Sequence, residues 1–277
     1  MTMKEKEIKR AVKEGYARIA KQATSYYSSQ EGSGYFDNLE EICKRIGYSE
    51  EDISAAPPES NLGLGCGNPV ALAAINEGET VLDMGSGAGF DCFLASSLVG
   101  ASGQVIGVDI TSEMVDKARA NARKGGYENI DFRQGDLENM PVADSYVDVV
   151  ISNCVINLVP NKRLVFKEAF RVLRPGGRLA ISDVVLTREL PDFVKNSTRA
   201  YIGCLAGAIM KQEYLQIIAN VGFTDVSVAA ESSFPVQSLL CSSGGSAAIE
   251  MPQFSPEQQK EIAELVLSIK VNARKPE

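Results

Sequence analysis

The chain of 277 residues contains no histidine. This absence excludes Ser-His-Asp and Cys-His catalysis, a histidine general base and every histidine-ligated metal site. Any chemistry must therefore depend on thiols, carboxylates, hydroxyls, amines or a bound cofactor.

Other common signatures are missing as well. The six cysteines form no CxxC pair, which excludes zinc ribbons and thioredoxin-type redox motifs. No stretch approaches the roughly 20 apolar residues of a membrane span, and the charged start MTMKEKEIKR leads into no apolar leader segment. We therefore expect a cytoplasmic protein with reduced thiols. The net charge of −8 argues against nucleic acid and an anionic membrane as partners.

Strand and helix patterns alternate from Thr80 onward, after an amphipathic helix at 4–22, a flexible loop at 25–37 and a short helix at 38–47. We predict strands beginning at Thr80 and covering 104–110, 130–136, 147–153, 178–185, 223–232 and 265–273. Helical patterns cover 89–98, 112–124, 161–173 and 191–222, with Thr111 placed to cap the second of these. This alternation predicts an α/β fold with a parallel sheet covered on both faces.

The first predicted strand runs into the glycine-rich turn DMGSGAG. Glycines allow a ligand to approach the backbone, but such a turn alone is a weak signal, since many are plain tight turns. Asp83 stands where a dinucleotide fingerprint has glycine, and an acidic residue suits a cationic ligand better than a pyrophosphate. Asp109 ends the next strand, where a carboxylate can hold a ribose diol. Asp83 therefore argues against a dehydrogenase.

Asp83, the glycine turn, Asp109, the GD pair at 135–136 and the string FKEAFRVLRPGGRLAISD together resemble the class I S-adenosylmethionine methyltransferases. The resemblance implies a Rossmann-like sheet of seven strands, with the last strand antiparallel and inserted between the fifth and sixth; segment 265–273 fits that strand. It implies S-adenosylmethionine as cofactor, with Asp83 near the methionine amine, Asp109 on the ribose and Asn153 beside the methionine moiety. The remaining implied contacts are Gly85, Ser86 and Gly87 along the cofactor, and Met114, Asp136 and Leu137 around the adenine. Simple core packing stays an alternative for Met114.

Three cysteines lie in the longer strings LGLGCGNP, SNCVINL and CLAGAI, which resemble the metalloid-binding motifs of the arsenite methyltransferases; KQEYLQIIANVGFTDV is similar to the same family. The resemblance implies that Cys66, Cys154 and Cys204 are the catalytic residues and hold trivalent arsenic as substrate, for arsenic detoxification. Soft thiolates suit this soft centre. Because loop 55–69 is rich in glycine and proline, we expect arsenic to dock on Cys154 and Cys204 first, with Cys66 closing the site.

The implied organisation is an N-terminal helical extension and substrate loop at 1–69, an S-adenosylmethionine-binding domain at 70–190, and arsenic-site helices with final strands at 191–277. The family resemblance also implies arsenite and methylarsenite as substrates, and thioredoxin or a small thiol as reductant. One departure is the stretch SYYSSQ, which lacks the N-terminal Cys-Cys pair of many members. Cys43 lies later, and a structural role in a helix is at least as good an explanation as a fourth working thiol.

Two other functions remain open from the sequence. A small-molecule C-methyltransferase of the quinone-methylase kind shares the RVLRPGG region but has no use for three thiols. A non-catalytic metalloid-binding protein uses the thiols but has no use for the cofactor turn. Retained activity after Cys154→Ser indicates the first, and failure to bind S-adenosylmethionine indicates the second.

Overall fold

The computed structural model describes residues 5–28, 33–234 and 254–277. Its helices are α1 Glu5–Ser28, α2 Ser33–Ile46, α3 Glu50–Ala55, α4 Pro69–Leu72, α5 Phe90–Val99, α6 Ser112–Gly125, α7 Lys162–Val172, α8 Asp192–Lys195, α9 Thr198–Ile202, α10 Lys211–Val221 and α11 Pro256–Leu265. Its strands are β1 Thr80–Met84, β2 Gln104–Asp109, β3 Ile130–Gln134, β4 Val147–Asn153, β5 Leu173–Leu186, β6 Thr224–Ser233 and β7 Val266–Arg274.

The strands form one sheet of seven in the order β3-β2-β1-β4-β5-β7-β6. The pairings from β3 to β5 are parallel, whereas β7 runs antiparallel to both β5 and β6. The predicted α/β class, the seven strands and the inserted antiparallel last strand are therefore confirmed.

Alternate strand residues face two separate apolar layers, because successive side chains of a strand point to opposite faces. Leu82 and Val150 pack with Phe166 of α7 and Tyr214 of α10. On the other face, Val81 and its neighbours pack against α4, α5 and α6. Burial on both faces explains why the central strands are continuous apolar runs.

Some predicted elements differ from the structure. The prediction of a loop at 25–37 is wrong at both ends, because α1 continues through Ser28 and α2 begins at Ser33. Helix α1 packs against α6 and α9, with apolar residues buried up to Ala23, and continues to Ser28. The helical stretch at 191–222 divides into α8, α9 and α10, since Ser197 caps α9 and Gly203 ends it. Thr111 occupies the N-cap position before α6, as predicted, but its hydroxyl makes no capping hydrogen bond.

The described helices include none that is long and apolar enough to cross a bilayer. Cys241, one of the six cysteines of the sequence, lies outside the described residues.

Candidate active site

The turn after β1 depends on glycine geometry. Gly85 has φ +79° and Gly87 has φ +52°, in the left-handed region that favours glycine. A Cβ on Gly85 would lie 2.4 Å from Cγ2 of Val155, so the turn and the end of β4 approach closely. The hydroxyl of Ser86 is buried without a hydrogen-bond partner in the described part of the chain. The turn thus presents half-buried glycine backbone and one unpaired hydroxyl.

Asp109, at the end of β2, receives two backbone hydrogen bonds. Its Oδ2 accepts from the Gly87 amide at 3.0 Å and its Oδ1 from the Thr111 amide at 2.8 Å. Burial raises the pKa of its carboxyl. These bonds fix the carboxylate against the glycine turn, at the carboxyl end of the sheet where open α/β folds bind ligands.

Two buried carboxylates lie next to the turn. Asp83 accepts a hydrogen bond from the Cys92 thiol at 3.2 Å, and Asp91, in the first turn of α5, accepts one from the Tyr48 hydroxyl at 2.6 Å. Burial raises the pKa of both carboxyls, that of Asp91 to about 6, and the Asp91 charge raises the pKa of Asp83 further. The sequence reasoning missed Asp91, although its place in the first turn after DMGSGAG is a usable signal. Two close carboxylates with neutral donors form a site suited to a cation.

One cavity collects most of the predicted cofactor residues. Its lining includes Asp83, Gly85, Ser86, Gly87, Asp109, Asp136, Leu137, Asn153, Cys154 and Cys204. Met114 does not belong to that lining; it is fully buried in a cluster with Ile19 and Ala20 of α1, and its contact with the adenine stays a prediction. Lys9 of α1 forms ion pairs with Asp136, at 2.6 Å, and with Glu138. Helix α1 therefore covers the cavity at the predicted adenine end.

The three predicted cysteines converge at the other end of the cavity. The Cys66 and Cys154 sulfurs and a carboxylate oxygen of Asp183 all lie within 4.8 Å of one another. The Cys204 thiol donates to the Cys154 carbonyl at 2.9 Å, and the Cys154 thiol affects the pKa values of both Cys66 and Cys204. Cys154 and Cys204 both adopt left-handed backbone, with φ of +57° and +65°.

Burial raises the pKa of the Cys66 thiol, and the hydrogen bond with Cys154 together with burial raises that of Cys204. Both thiols are therefore protonated at neutral pH until a ligand replaces the proton. A soft cationic centre is the kind of ligand that such a group of thiols prefers.

Cys66 is held more firmly than the composition of its loop predicts. Its amide donates to Oδ1 of Asn153 at 3.0 Å, and its carbonyl accepts from the Ser268 hydroxyl of β7 at 2.6 Å. A Cβ on Gly67 would lie 2.5 Å from the Ser182 Oγ, so the flanking backbone packs directly against β5. These contacts argue against the expectation that Cys66 swings in last.

The sequence reasoning also missed Asp183, at the carboxyl end of β5. Its carboxylate accepts hydrogen bonds from Asn157 Nδ2 and from the Tyr214 hydroxyl, each at 2.9 Å. Burial raises the pKa of Asp183 to about 6. The residue stands in the RLAISD string, but only the three-dimensional structure shows that it adjoins two thiols.

The other described cysteines take structural positions. Cys43 of α2 donates to Oδ1 of Asn61 at 3.4 Å and packs with Tyr48 on the opposite face of the sheet from the α7 layer. Cys92 is fully buried in α5, as expected, and its thiol binds Asp83. Cys43 nevertheless lines the same cavity as the cofactor residues, at the Tyr48 side.

Comparisons with known proteins agree with this geometry. A family model described as a methyltransferase domain matches residues 75–222. An arsenite methyltransferase of Halobacterium salinarum is 45% identical over 235 residues, which are 84% of this chain and 56% of that protein. The human arsenite methyltransferase is 30% identical over 244 residues, 85% of this chain and 63% of that protein.

Among solved structures, an arsenic(III) S-adenosylmethionine methyltransferase from Chlamydomonas reinhardtii matches with a TM-score of 0.63 and 32% identity, covering 85% of this chain and 73% of that one. The fold and the cavity define a methyltransferase. The chain belongs to the methyltransferase domain family and, within it, to the arsenite methyltransferases. It spans only 56% and 63% of the length of the two curated relatives described above.

Proposed function

We propose that this protein transfers a methyl group from S-adenosylmethionine to trivalent arsenic, first arsenite and then methylarsenite, for arsenic detoxification. The observation that carries the proposal is the group of three thiols, Cys66, Cys154 and Cys204. They come from three separate segments and adjoin a glycine-turn cavity that two of them line. A methyltransferase acting on oxygen, nitrogen or carbon has no need for this group.

The residues of the cavity fit S-adenosylmethionine. The left-handed Gly85 and Gly87 leave room for a ligand along the turn, and the buried Ser86 hydroxyl lacks a protein partner. Asp83, with the neighbouring Asp91, would hold the methionine amine, and Asp109 the ribose hydroxyls. We assign the adenine edge to Asp136 and Leu137, and the methionine moiety also to Asn153.

When bound, S-adenosylmethionine supplies an electrophilic methyl group on a sulfonium. Trivalent arsenic carries its own lone pair, so the reaction requires no general base, in keeping with a chain without histidine. Three thiolates would hold arsenic with that lone pair directed into the cavity. Catalysis then consists mainly of positioning, which can supply about 7–11 kcal/mol in favourable cases. Val12 and Tyr16 of α1 cover this region together with Leu158, which keeps water out.

Methyl transfer formally oxidises arsenic to the pentavalent state. Two electrons from two site thiolates return it to the trivalent state, and those two sulfurs form a disulfide. The contacts of Cys154 with both Cys66 and Cys204 support either pairing. We propose that thioredoxin or a small thiol then reduces the disulfide, and that the protein works in the cytoplasm, where such reductants keep thiols reduced.

The three proposed units of the chain have the boundaries predicted from the sequence. Residues 1–69 provide the helical extension and the Cys66 loop, and residues 70–190 the cofactor-binding sheet. Residues 191–277 provide the helices around Cys204 and the closing strands. The cavity lies where the three meet, since its lining draws on Lys9, Asp83 and Cys204.

The test uses purified protein with arsenite, labelled S-adenosylmethionine and a dithiol, with the arsenic species separated by chromatography. Cys154→Ser and Cys204→Ser should abolish methylation while cofactor binding survives, because a hydroxyl is a poor ligand for a soft centre. Cys92→Ser is the matched control, since serine can keep the hydrogen bond to Asp83. Methylation by Cys154→Ser would refute the thiol site, and a wild type that does not bind S-adenosylmethionine would indicate a metalloid-binding protein instead.

A further inference from the structure

A closed cycle of hydrogen bonds lies between the cofactor cavity and the thiols. The Tyr48 hydroxyl donates to Oδ1 of Asp91 at 2.6 Å. One N–H of Asn153 Nδ2 is shared between the Tyr48 oxygen, at 2.9 Å, and Oδ2 of Asp91, at 3.1 Å. Tyr48 and Asp91 are buried, 4% and 7% exposed, so water does not compete for these bonds.

One side of this cycle faces the methionine end of the cavity. Asp91 lines the cavity together with Asp83, and the negative charges of the two buried carboxylates oppose each other. A ligand amine in this position relieves the repulsion and favours the ionised form of Asp91. An ionised carboxylate accepts shorter and stronger hydrogen bonds than a neutral one.

The other side of the cycle holds the Cys66 segment. The single side-chain amide of Asn153 accepts from the Cys66 amide at 3.0 Å and donates to the Gly67 carbonyl at 2.8 Å. A Cβ on Gly65 would lie 2.9 Å from Nδ2 of Asn153, so this contact requires glycine before the cysteine. The orientation of one amide group therefore fixes the backbone of a thiol ligand.

We propose that Tyr48 and Asp91 are positioning residues that couple the two sites: an amine bound at the methionine end of the cavity fixes Asn153, and Asn153 fixes Cys66 for trivalent arsenic. This inference rests on the proposed function. Since coupling between two binding sites is reciprocal, arsenic at the thiols also tightens binding of the cofactor. The enzyme thereby favours the ternary complex over arsenic bound alone.

The experiment measures arsenite binding to reduced protein through the ultraviolet absorption of thiolate-bound arsenic. Titrations are run alone, with saturating S-adenosylhomocysteine, and with saturating 5′-methylthioadenosine, which keeps the adenine and ribose but lacks the amino acid. We expect S-adenosylhomocysteine to lower the dissociation constant of arsenite about tenfold, and 5′-methylthioadenosine to change it less than about twofold. Equal effects of the two nucleosides would overturn the proposal.

The variants Tyr48→Phe and Asp91→Asn separate the cycle from the thiols. Tyr48→Phe keeps the ring that packs against Phe90 at 5.1 Å and removes only the hydroxyl. It should leave the arsenite affinity measured without nucleoside unchanged. It should also reduce the change in that affinity caused by S-adenosylhomocysteine to less than about twofold. Asp91→Asn should likewise reduce the effect of S-adenosylhomocysteine, because it removes the charge that the ligand amine meets. Full coupling in Tyr48→Phe would refute the proposal, whether or not Asp91→Asn folds.

Tyr127→Phe is the matched control. Its hydroxyl donates to the Ala55 carbonyl at 3.2 Å in the same apolar layer but outside the cycle, so the variant should keep the wild-type coupling. If this control also loses the coupling, removal of any tyrosine hydroxyl from this layer abolishes it, and the proposal is refuted. A wild type that binds no arsenite through its thiols would instead refute the proposed function, which keeps the two failures distinct.

Discussion

Asp183 shows how a single buried carboxyl affects the stability of this fold. Burial raises its pKa to about 6, whereas an unfolded aspartate titrates near about 3.9. Between these two pKa values the native state binds more protons than the unfolded state. The contribution of Asp183 to the free energy of unfolding therefore falls as pH rises from about 4 to about 6, and stays constant at higher pH.

We therefore predict that Asp183→Asn removes this dependence. The free energy of unfolding of the wild type, relative to the variant, should decrease by about 2–3 kcal/mol from pH 4 to pH 6.5. Urea unfolding of both proteins at several pH values measures the difference. Parallel pH profiles for the two proteins would show that Asp183 has an ordinary pKa.

Site residues differ in how well the sequence predicts them. Asp83, Asp109 and the three cysteines lie in short sequence strings whose pattern indicates their function. Asp91 and Tyr48 meet across 43 residues, and Asn153 and Asp91 across 62. Their hydrogen bonds depend on how the N-terminal segment folds over the sheet, which no local pattern contains.

At the level of elements, the segment around Cys66 depends on its tight packing against β5. Gly67 lacks the left-handed φ of Gly65, so alanine there causes no backbone strain, only a clash of its Cβ with Ser182 at 2.5 Å. Gly67→Ala should cost about 1–3 kcal/mol of stability by overpacking and weaken arsenite binding, while S-adenosylmethionine binding is retained. Thermal unfolding and separate titrations of the two ligands measure these effects.

The double variant Gly67→Ala/Ser182→Gly tests the cause. Removal of the Ser182 side chain clears the space that the new Cβ needs and should restore arsenite binding. If the double variant binds no better than Gly67→Ala alone, the clash is not the reason for the loss.

The elements themselves were predictable to different degrees. The parallel strands follow from continuous apolar runs, and the glycine turn fixes where β1 ends. The division of 191–222 into three helices has local signals that the prediction did not use, since Ser197 caps α9 and Gly203 ends it. The position of α1 on α6 and α9 depends instead on tertiary contacts that no local pattern contains.

At the level of the whole molecule, the two ends of the described chain differ in importance. Strand β7 lies inside the sheet and pairs with β5 along Arg178–Leu186 and with β6, whereas α1 packs on the outside. Deletion of residues 254–277 should therefore unfold the protein. Deletion of residues 1–28 should leave a folded sheet that binds the cofactor more weakly. Far-ultraviolet circular dichroism and cofactor titration distinguish these outcomes, and a folded protein without β7 would contradict the role given to that strand.

The internal position of β7 also has a consequence for synthesis on the ribosome. Residues 266–274 are made after all six other strands, yet they fill the gap between β5 and β6. Until they emerge, the nascent chain holds β5 with an open edge and β6 without a strand partner. Such edges invite pairing with other chains. The interval between translation of β6 and release of β7 is thus the period in which this chain is most exposed to aggregation and most in need of a chaperone.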